Sequence, residues 1–176
     1  MNVLEAIMNR RSVRAYSPKG IPADVMKRMR QALRLAPSAC NNQPWKFVFV
    51  QDAALRKDVA AAAGQAFIAQ APVIVAGCGF PGKAYKHMGG YGNSIDVDLA
   101  IALDHLTLAA VADGLGTCWI GAFDEARVKS ILGVPADVKV VAMTPLGYPA
   151  SADLIQPIDE SKRRKREEEV FSVDKF

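Results

Sequence analysis

The stretch "SIDVDLAIALDHLTLAAVADGLG", residues 94–116, limits what this chain can fold into more than any other. Asn93 or Ser94 can cap a helix there, and Asp96 and Asp98 fall in its first turns, where carboxylates complement the positive end of the dipole. Gly114 or Gly116 can end it. About 20 residues of helix span on the order of 30 Å. Ile95, Leu99, Ile101, Leu103, Leu106 and Leu108 lie on more than one face. A helix apolar all round must be covered all round. No apolar run reaches the roughly 18 residues of a membrane span. The cover therefore comes from protein: the rest of the domain, or a second subunit.

The remaining segments can supply that cover. With 176 residues, of which 51% are hydrophobic, the chain is long enough for one domain with a real core. "VLEAIMNRR" predicts a helix, with Val3, Ala6 and Ile7 on one face. "SPKGIP" is a turn, and a second helix is expected from Pro22 through "VMKRMRQALRLA", stopping near Pro37. "WKFVFV" is an aromatic and β-branched strand. "DAALRKDVAAAAG" is a helix with Asp52 as cap and Gly64 at its end. "APVIVAGC" is a buried strand, "TCWIGAF" a short strand, "DEARVKSILG" a helix from Asp124 to Gly133, and "VKVVAMTPLGYP" a last strand. There are no internal repeats or linkers. The mixture predicts an α+β sandwich around one central sheet.

Charge and cysteines exclude several classes. The net charge is +4, and "KRRKR" at residues 162–166 carries five of the positive charges, so basicity is local. A nucleic-acid surface usually adds stacking aromatics and spreads its cations over one face. Cys40, Cys78 and Cys118 are odd in number and lie far apart, as free thiols do. His87 and His105 with scattered acids make no metal site, and His105, mid-helix, is expected to be structural. Trp45 and Trp119 are expected to anchor the core. No secretory signal pattern precedes a small-residue cleavage site, so a soluble cytoplasmic protein is expected.

"GCGFPG" (Gly77, Gly79, Gly82) follows a strand and has the spacing of a dinucleotide-binding turn. That turn must open a helix whose N-terminus holds the pyrophosphate. "HMGGYG" leaves no room for one, and no second strand ends in an acid about 20 residues on.

Two clusters carry possible chemistry. Arg10, Arg11 and Arg14 with Ser12 suit a phosphate, since guanidinium forks match phosphate oxygens. Equally, arginines complement the negative end of a helix. Arg10 and Arg14 would share a face if the first helix continued, with Arg11 pointing away. "PSACNNQPW" puts Ser38, Asn41, Asn42 and Gln43 in one loop between Pro37 and Pro44. Their amides and hydroxyl can read donor and acceptor edges of a ring or polyol; a plain turn before a strand also favours such residues.

"RRSVRAY", "PSACNNQPW", "GLGTCWIGAFDEARVKSILGVP" and "PLGYP", in this order across nearly the whole chain, resemble the FMN-dependent nitroreductase family. The resemblance implies a central, mostly antiparallel sheet flanked by helices, in an intertwined homodimer with FMN at the interface. Residues 1–150 would form the FMN-binding domain and residues 151–176 an arm embracing the partner. Arg10, Arg11, Ser12 and Arg14 would hold the phosphate and the pyrimidine end of the ring, Arg14 near N1 and O2. Pro37, Ser38, Ala39, Asn41 and Gln43 would reach the partner's flavin. "AAGQAF" points to Gln65 as a polar contact. Ile120, Gly121 and Ala122 would lie against the ring with a backbone N–H near N5. Lys162 and Arg164 would close over the phosphate.

The chemistry so implied takes hydride from NADH or NADPH to flavin N5 and passes it in a ping-pong cycle to a nitroaromatic, quinone or similar small electrophile. The flavin carries the redox step, so no catalytic side chain is required. His87 and Tyr91 are candidate substrate contacts. Two departures stand out. The loop 80–93 is compact where many members insert a helical excursion, and Arg166 stands where family tails commonly carry proline. Alternatives are another FMN role (flavin or enoyl reduction, dehydrogenation) or, in a different class, a non-catalytic nucleic-acid binder using the basic tail.

Overall fold

A computed structural model describes residues 1–90, 92–157 and 164–176. In chain order the helices are α1 (Val3–Asn9), α2 (Ala23–Arg34), α3 (Ala53–Ala62), α4 (Ile95–Ala112) and α5 (Glu125–Leu132). The strands are β1 (Trp45–Val50), β2 (Val73–Gly79), β3 (Gly116–Thr117) and β4 (Lys139–Gly147). The sheet order is β1-β2-β4-β3, antiparallel throughout.

Strand alternation sends successive side chains to opposite faces, and both faces are covered. Val73 and Val75 of β2 and Ala142 and Leu146 of β4 pack against α2 and α4. Ile74, Ala76, Cys78, Val140 and Met143 pack with Val59 of α3 and Val128 of α5. The antiparallel sheet flanked by helices is the architecture expected. The 18-residue α4 buries Ile95, Leu99, Leu103, Leu106 and Val111. Asn93 Oδ1 accepts from Ile95 N, while the hydroxyl of the N-cap residue Ser94 donates to Asp98 Oδ2.

Close passage of α4 over β2 explains the glycine run. A Cβ at Gly79 would lie 2.5 Å from Ile95 Cδ1, and one at Gly77 3.1 Å from Leu103 Cδ1. These glycines admit a helix; they do not cradle a phosphate. Gly82 sits in a single 3-10 turn, Pro81–Lys83, with open space around it.

Four expectations need correction. α1 buries only Ala6, and Val3 and Ile7 are exposed. It also ends at Asn9, and Arg10 caps it in extended conformation (φ −60°, ψ 128°), so no helix carries Arg14. "TCWIGAF" is not one strand. The Cys118 N–H goes to Thr144 Oγ1 at 3.1 Å instead of a ladder carbonyl, and pairing resumes only where Ile120 meets Met143. Trp119 is 46% exposed rather than a core anchor, whereas Trp45 is half-buried against both α4-facing clusters.

Candidate functional site

Beyond β3, the chain from Ser12 to Ser17 runs as an extra extended edge. Ser12 pairs in parallel with Thr117, and Val13 N donates to Thr117 O at 2.9 Å. Ser17 N donates to Tyr148 O at 2.8 Å, and Ala150 N to Ala15 O at 2.9 Å. Contact is so close at Gly116 that a Cβ there would sit 2.7 to 3.0 Å from three carbons of Val13. Buried Tyr16 locks the segment, donating its hydroxyl to Val13 O at 2.8 Å, and burial pushes that phenol well above its ordinary pKa.

In an extended segment alternate residues share a side. Val13 is buried and its neighbours Ser12 and Arg14 are exposed, so these two lie on the outer side, with half-buried Arg10 two residues before them. Arg11 takes the other side, and its Nη1 donates to Met8 O (2.8 Å) and Arg10 O (2.7 Å). It caps α1. Among the described residues, neither Arg10 nor Arg14 has an ion pair; Arg14 donates only to Ser12 O, at 3.3 Å.

Two further expected segments border this edge. Ile120 is buried and bonded both ways to Met143. Gly121 and Ala122 follow on the surface, and their N–H groups have no acceptor among the described residues. Asp124 N donates to Ala62 O at 2.9 Å, tying the segment to the end of α3. Gln65 lies just beyond that end, lining a groove of about 460 Å³ with Lys57, Ala61 and Ala69. Phe67 touches both the α3–α5 cluster and the Val13–Tyr16 cluster, so Gln65 and the arginine edge adjoin.

The polar loop is elsewhere. Ala39–Asn41 forms one 3-10 turn, and Cys40, Asn41 and Gln43 have φ of 52°, 53° and 47°. Left-handed backbone costs an ordinary L-residue roughly 1–2 kcal/mol, less for Asn, so something must hold it. Ser38 Oγ accepts from Gln43 N at 2.9 Å, and Gln43 Nε2 donates to Asn41 Oδ1 at 3.1 Å. Asp98, buried in α4, accepts from Ala39 N at 2.9 Å. The sequence reading gave Asp98 to the helix dipole alone. The missed signal is its place in the same apolar stripe as Ile95, Leu99 and Ala102, where a carboxylate must find donors.

Register shows how far apart the two groups are. The polar loop enters β1 at Trp45, opposite Gly79, which is opposite Lys139; Thr117 is opposite Leu146 at the other end of β4. Four strand spacings, counting the Ser12 edge beyond β3, and seven residues along β4 separate them by roughly 30 Å. One chain does not bring Ser38–Gln43 to Arg10–Arg14.

Of the other expected residues, His87 is exposed, edge-on to Tyr85 with ring centroids 6.1 Å apart. Arg164 is exposed without an ion pair among the described residues. Tyr91 and Lys162 lie outside the described residues. His105 is half-buried beside α1. Among the described residues no three His, Cys, Asp or Glu side chains group to hold a metal, and no helix is long and apolar enough to cross a membrane. All three cysteines are free, Cys40 exposed and the others buried.

The donor set suits FMN. Arg10 and Arg14 offer uncompensated charge for a phosphate, Gly121 and Ala122 offer N–H groups to a ring's acceptor edge, and the Ser38–Gln43 loop offers both polarities. The sequence matches the nitroreductase family over residues 7–76 and 62–148. A Thermus thermophilus protein named NADH dehydrogenase is 32% identical over 175 residues, covering 82% of this chain and 85% of its own. The NAD(P)H-type FMN reductase of Bacillus subtilis is 28% identical over 171 residues, covering 88% and 69%. A nitroreductase family protein of Clostridium difficile, 23% identical, superposes over the whole of both chains with a TM-score of 0.89 and so shares the fold.

Proposed function

The chain belongs to the nitroreductase family, and from that premise we propose that it is an FMN-dependent oxidoreductase working as a homodimer. The observation that carries this reading is the separation of the arginine edge from the polar loop within one chain. Each group is organised for ligand contact and lacks the other half. Two copies with their edges apposed complete two sites.

In each site Arg10, Ser12 and Arg14 bind the phosphate and the pyrimidine end of the cofactor from one subunit. Pro37, Ser38, Ala39, Asn41 and Gln43 contact it from the other. Gly121 and Ala122 direct backbone N–H groups at the ring, where charge develops on reduction. Arg14, fixed beside buried Val13, places a permanent cation there too. Bound FMN would supply hydride transfer at N5, from NADH or NADPH to a nitroaromatic, quinone or free flavin acceptor. The protein's share is to hold and charge-balance the ring and keep water from it. The exposed Val170, Phe171, Val173 and Phe176 support an arm that finds apolar cover on a partner. A nucleic-acid role is less well supported, since Arg166 in the basic run is paired with Glu168 and Glu169.

Protein purified without added cofactor is expected to be yellow and to release FMN on denaturation. Sedimentation should give twice the chain mass, and NADH or NADPH should bleach the flavin band. A colourless protein that takes up no FMN rejects the proposal. In mixed dimers, Asn41→Ala on one chain and Arg14→Ala on the other should leave one intact FMN site of two.

A further inference from the structure

Asp98 and Ser94 form a bracket that nothing above assigns. Both are almost wholly buried, at 2% and 1% exposure. Asp98 Oδ1 accepts from Ala39 N at 2.9 Å, and its Oδ2 accepts from the Ser94 hydroxyl at 2.6 Å. Ser94 Oγ in turn accepts from Tyr85 N at 3.2 Å, and Ser94 N donates to Tyr85 O at 2.8 Å. The first turn of α4 thus grips two loops that otherwise meet where Phe80 N donates to Pro44 O at 2.8 Å: 38–43, with its three left-handed residues, and 80–90, carrying Tyr85 and His87.

A buried carboxylate without donors is expensive, and Asp98 takes one from the Ala39 backbone and one from the Ser94 hydroxyl. Ala84 beside the junction is buried with Ile95 and Leu99, so the Tyr85 side is anchored by packing as well. The polar loop has no such packing: residues 40–43 are exposed. Its conformation therefore depends on the Ala39 hydrogen bond and on its own internal ones.

We propose that Asp98 and Ser94 are positioning residues that set the cofactor loop 38–43 and the substrate-side loop 80–90 from one point on α4. The cofactor part rests on the FMN reading above; the structural part does not. In Asp98→Asn the retained Oδ1 still accepts from Ala39 N, but the amide cannot accept the Ser94 proton. Asp98→Ala loses both bonds, and Ser94→Ala frees only the Tyr85 side.

Amide hydrogen exchange on the purified proteins, stripped of cofactor, tests the bracket directly. Asp98→Ala should speed exchange at least tenfold in both 38–43 and 80–90, with β2 and β4 unchanged. Ser94→Ala should do so in 80–90 alone. FMN titration by fluorescence gives the second readout: a dissociation constant raised at least tenfold in Asp98→Ala, and rescued to within threefold of wild type in Asp98→Asn. Uniformly faster exchange across the sheet, unchanged exchange in 38–43, or equal weakening by Ala and Asn overturns the proposal. If wild type binds no FMN, the functional reading fails, and the exchange pattern still decides the bracket.

Discussion

Gly116→Ala should test how the arginine edge is held. The added Cβ would meet Val13 Cγ2 at 2.7 Å, its Cβ at 2.8 Å and its Cγ1 at 3.0 Å. Val13 has little room to yield. It is β-branched and 1% exposed, its N–H is bonded to Thr117 O, and its carbonyl accepts from Tyr16 Oη. Overpacking of this kind costs about 1–3 kcal/mol. Replacing Gly restricts the unfolded chain and returns about 0.4–1 kcal/mol. The net expectation is a loss of about 1–2 kcal/mol, which lowers Tm by roughly 2–8 °C in a chain of this size. Gly82→Ala is the control, because nothing lies within 4 Å of its Cβ; it should be neutral or slightly stabilising. Thermal melts at matched protein concentration give the comparison, since association shifts Tm by mass action. FMN affinity should fall in Gly116→Ala as Ser12 and Arg14 are pushed outward. If Gly116→Ala melts with Gly82→Ala and keeps wild-type affinity, the close-contact account of this edge is wrong.

Arg14→Ala should weaken FMN binding by about 1–3 kcal/mol, the scale of a charge-assisted contact, and fluorescence titration measures it; unchanged affinity removes Arg14 from the phosphate site. Thiol labelling of the native protein should modify Cys40 quickly and Cys78 and Cys118 only on unfolding. Burial lifts the Cys78 thiol from its ordinary 9.0 to about 11. The folded state then holds more protons than the unfolded one between those values, so stability should fall as pH rises through that window. In Cys78→Ala, denaturant midpoints should lose that part of the decline. Truncation after residue 150 should shift sedimentation from dimer toward monomer if the arm embraces a partner; an unchanged dimer would place the interface elsewhere.

Much of the fold was open to sequence reasoning because local rules and tertiary packing agreed. Asp52, Asp124 and Gly133 cap where expected, with Gly133 at φ 63°. β2 is buried along its whole length, as a continuous apolar run implies. The failures come where a distant partner decides. Nothing near Cys118 in sequence says that Thr144 will take its N–H and break a strand. Nothing in "NRRSVRAY" says that a capping box of Asn2 and Glu5 will make a short helix, after which the arginines enter an extended edge. Gly77 and Gly79 matched a phosphate turn by spacing, yet their meaning lies in Ile95, Leu99 and Leu103, some 16 to 26 residues away in "NSIDVDLAIAL". For the candidate site, sequence reasoning could name residues one by one as expectations. Asp98 was not, since its role requires two loops to converge on α4.

The strand order β1-β2-β4-β3 also has a consequence in time. β4 is made last, yet it stands between β2 and β3 and joins them. Until residues 139–147 emerge from a ribosome, β2 has an open edge, β3 has only the Ser12–Val13 segment to pair with, and α4 lacks part of the surface that covers it. The nascent chain must carry its most apolar helix only partly covered from residue 112 to residue 147, while the last strand is made. Pairings this distant in sequence also form slowly. Such a chain should lean on chaperones while it is being made, and its expression should be more sensitive than its final stability to anything that delays the last strand.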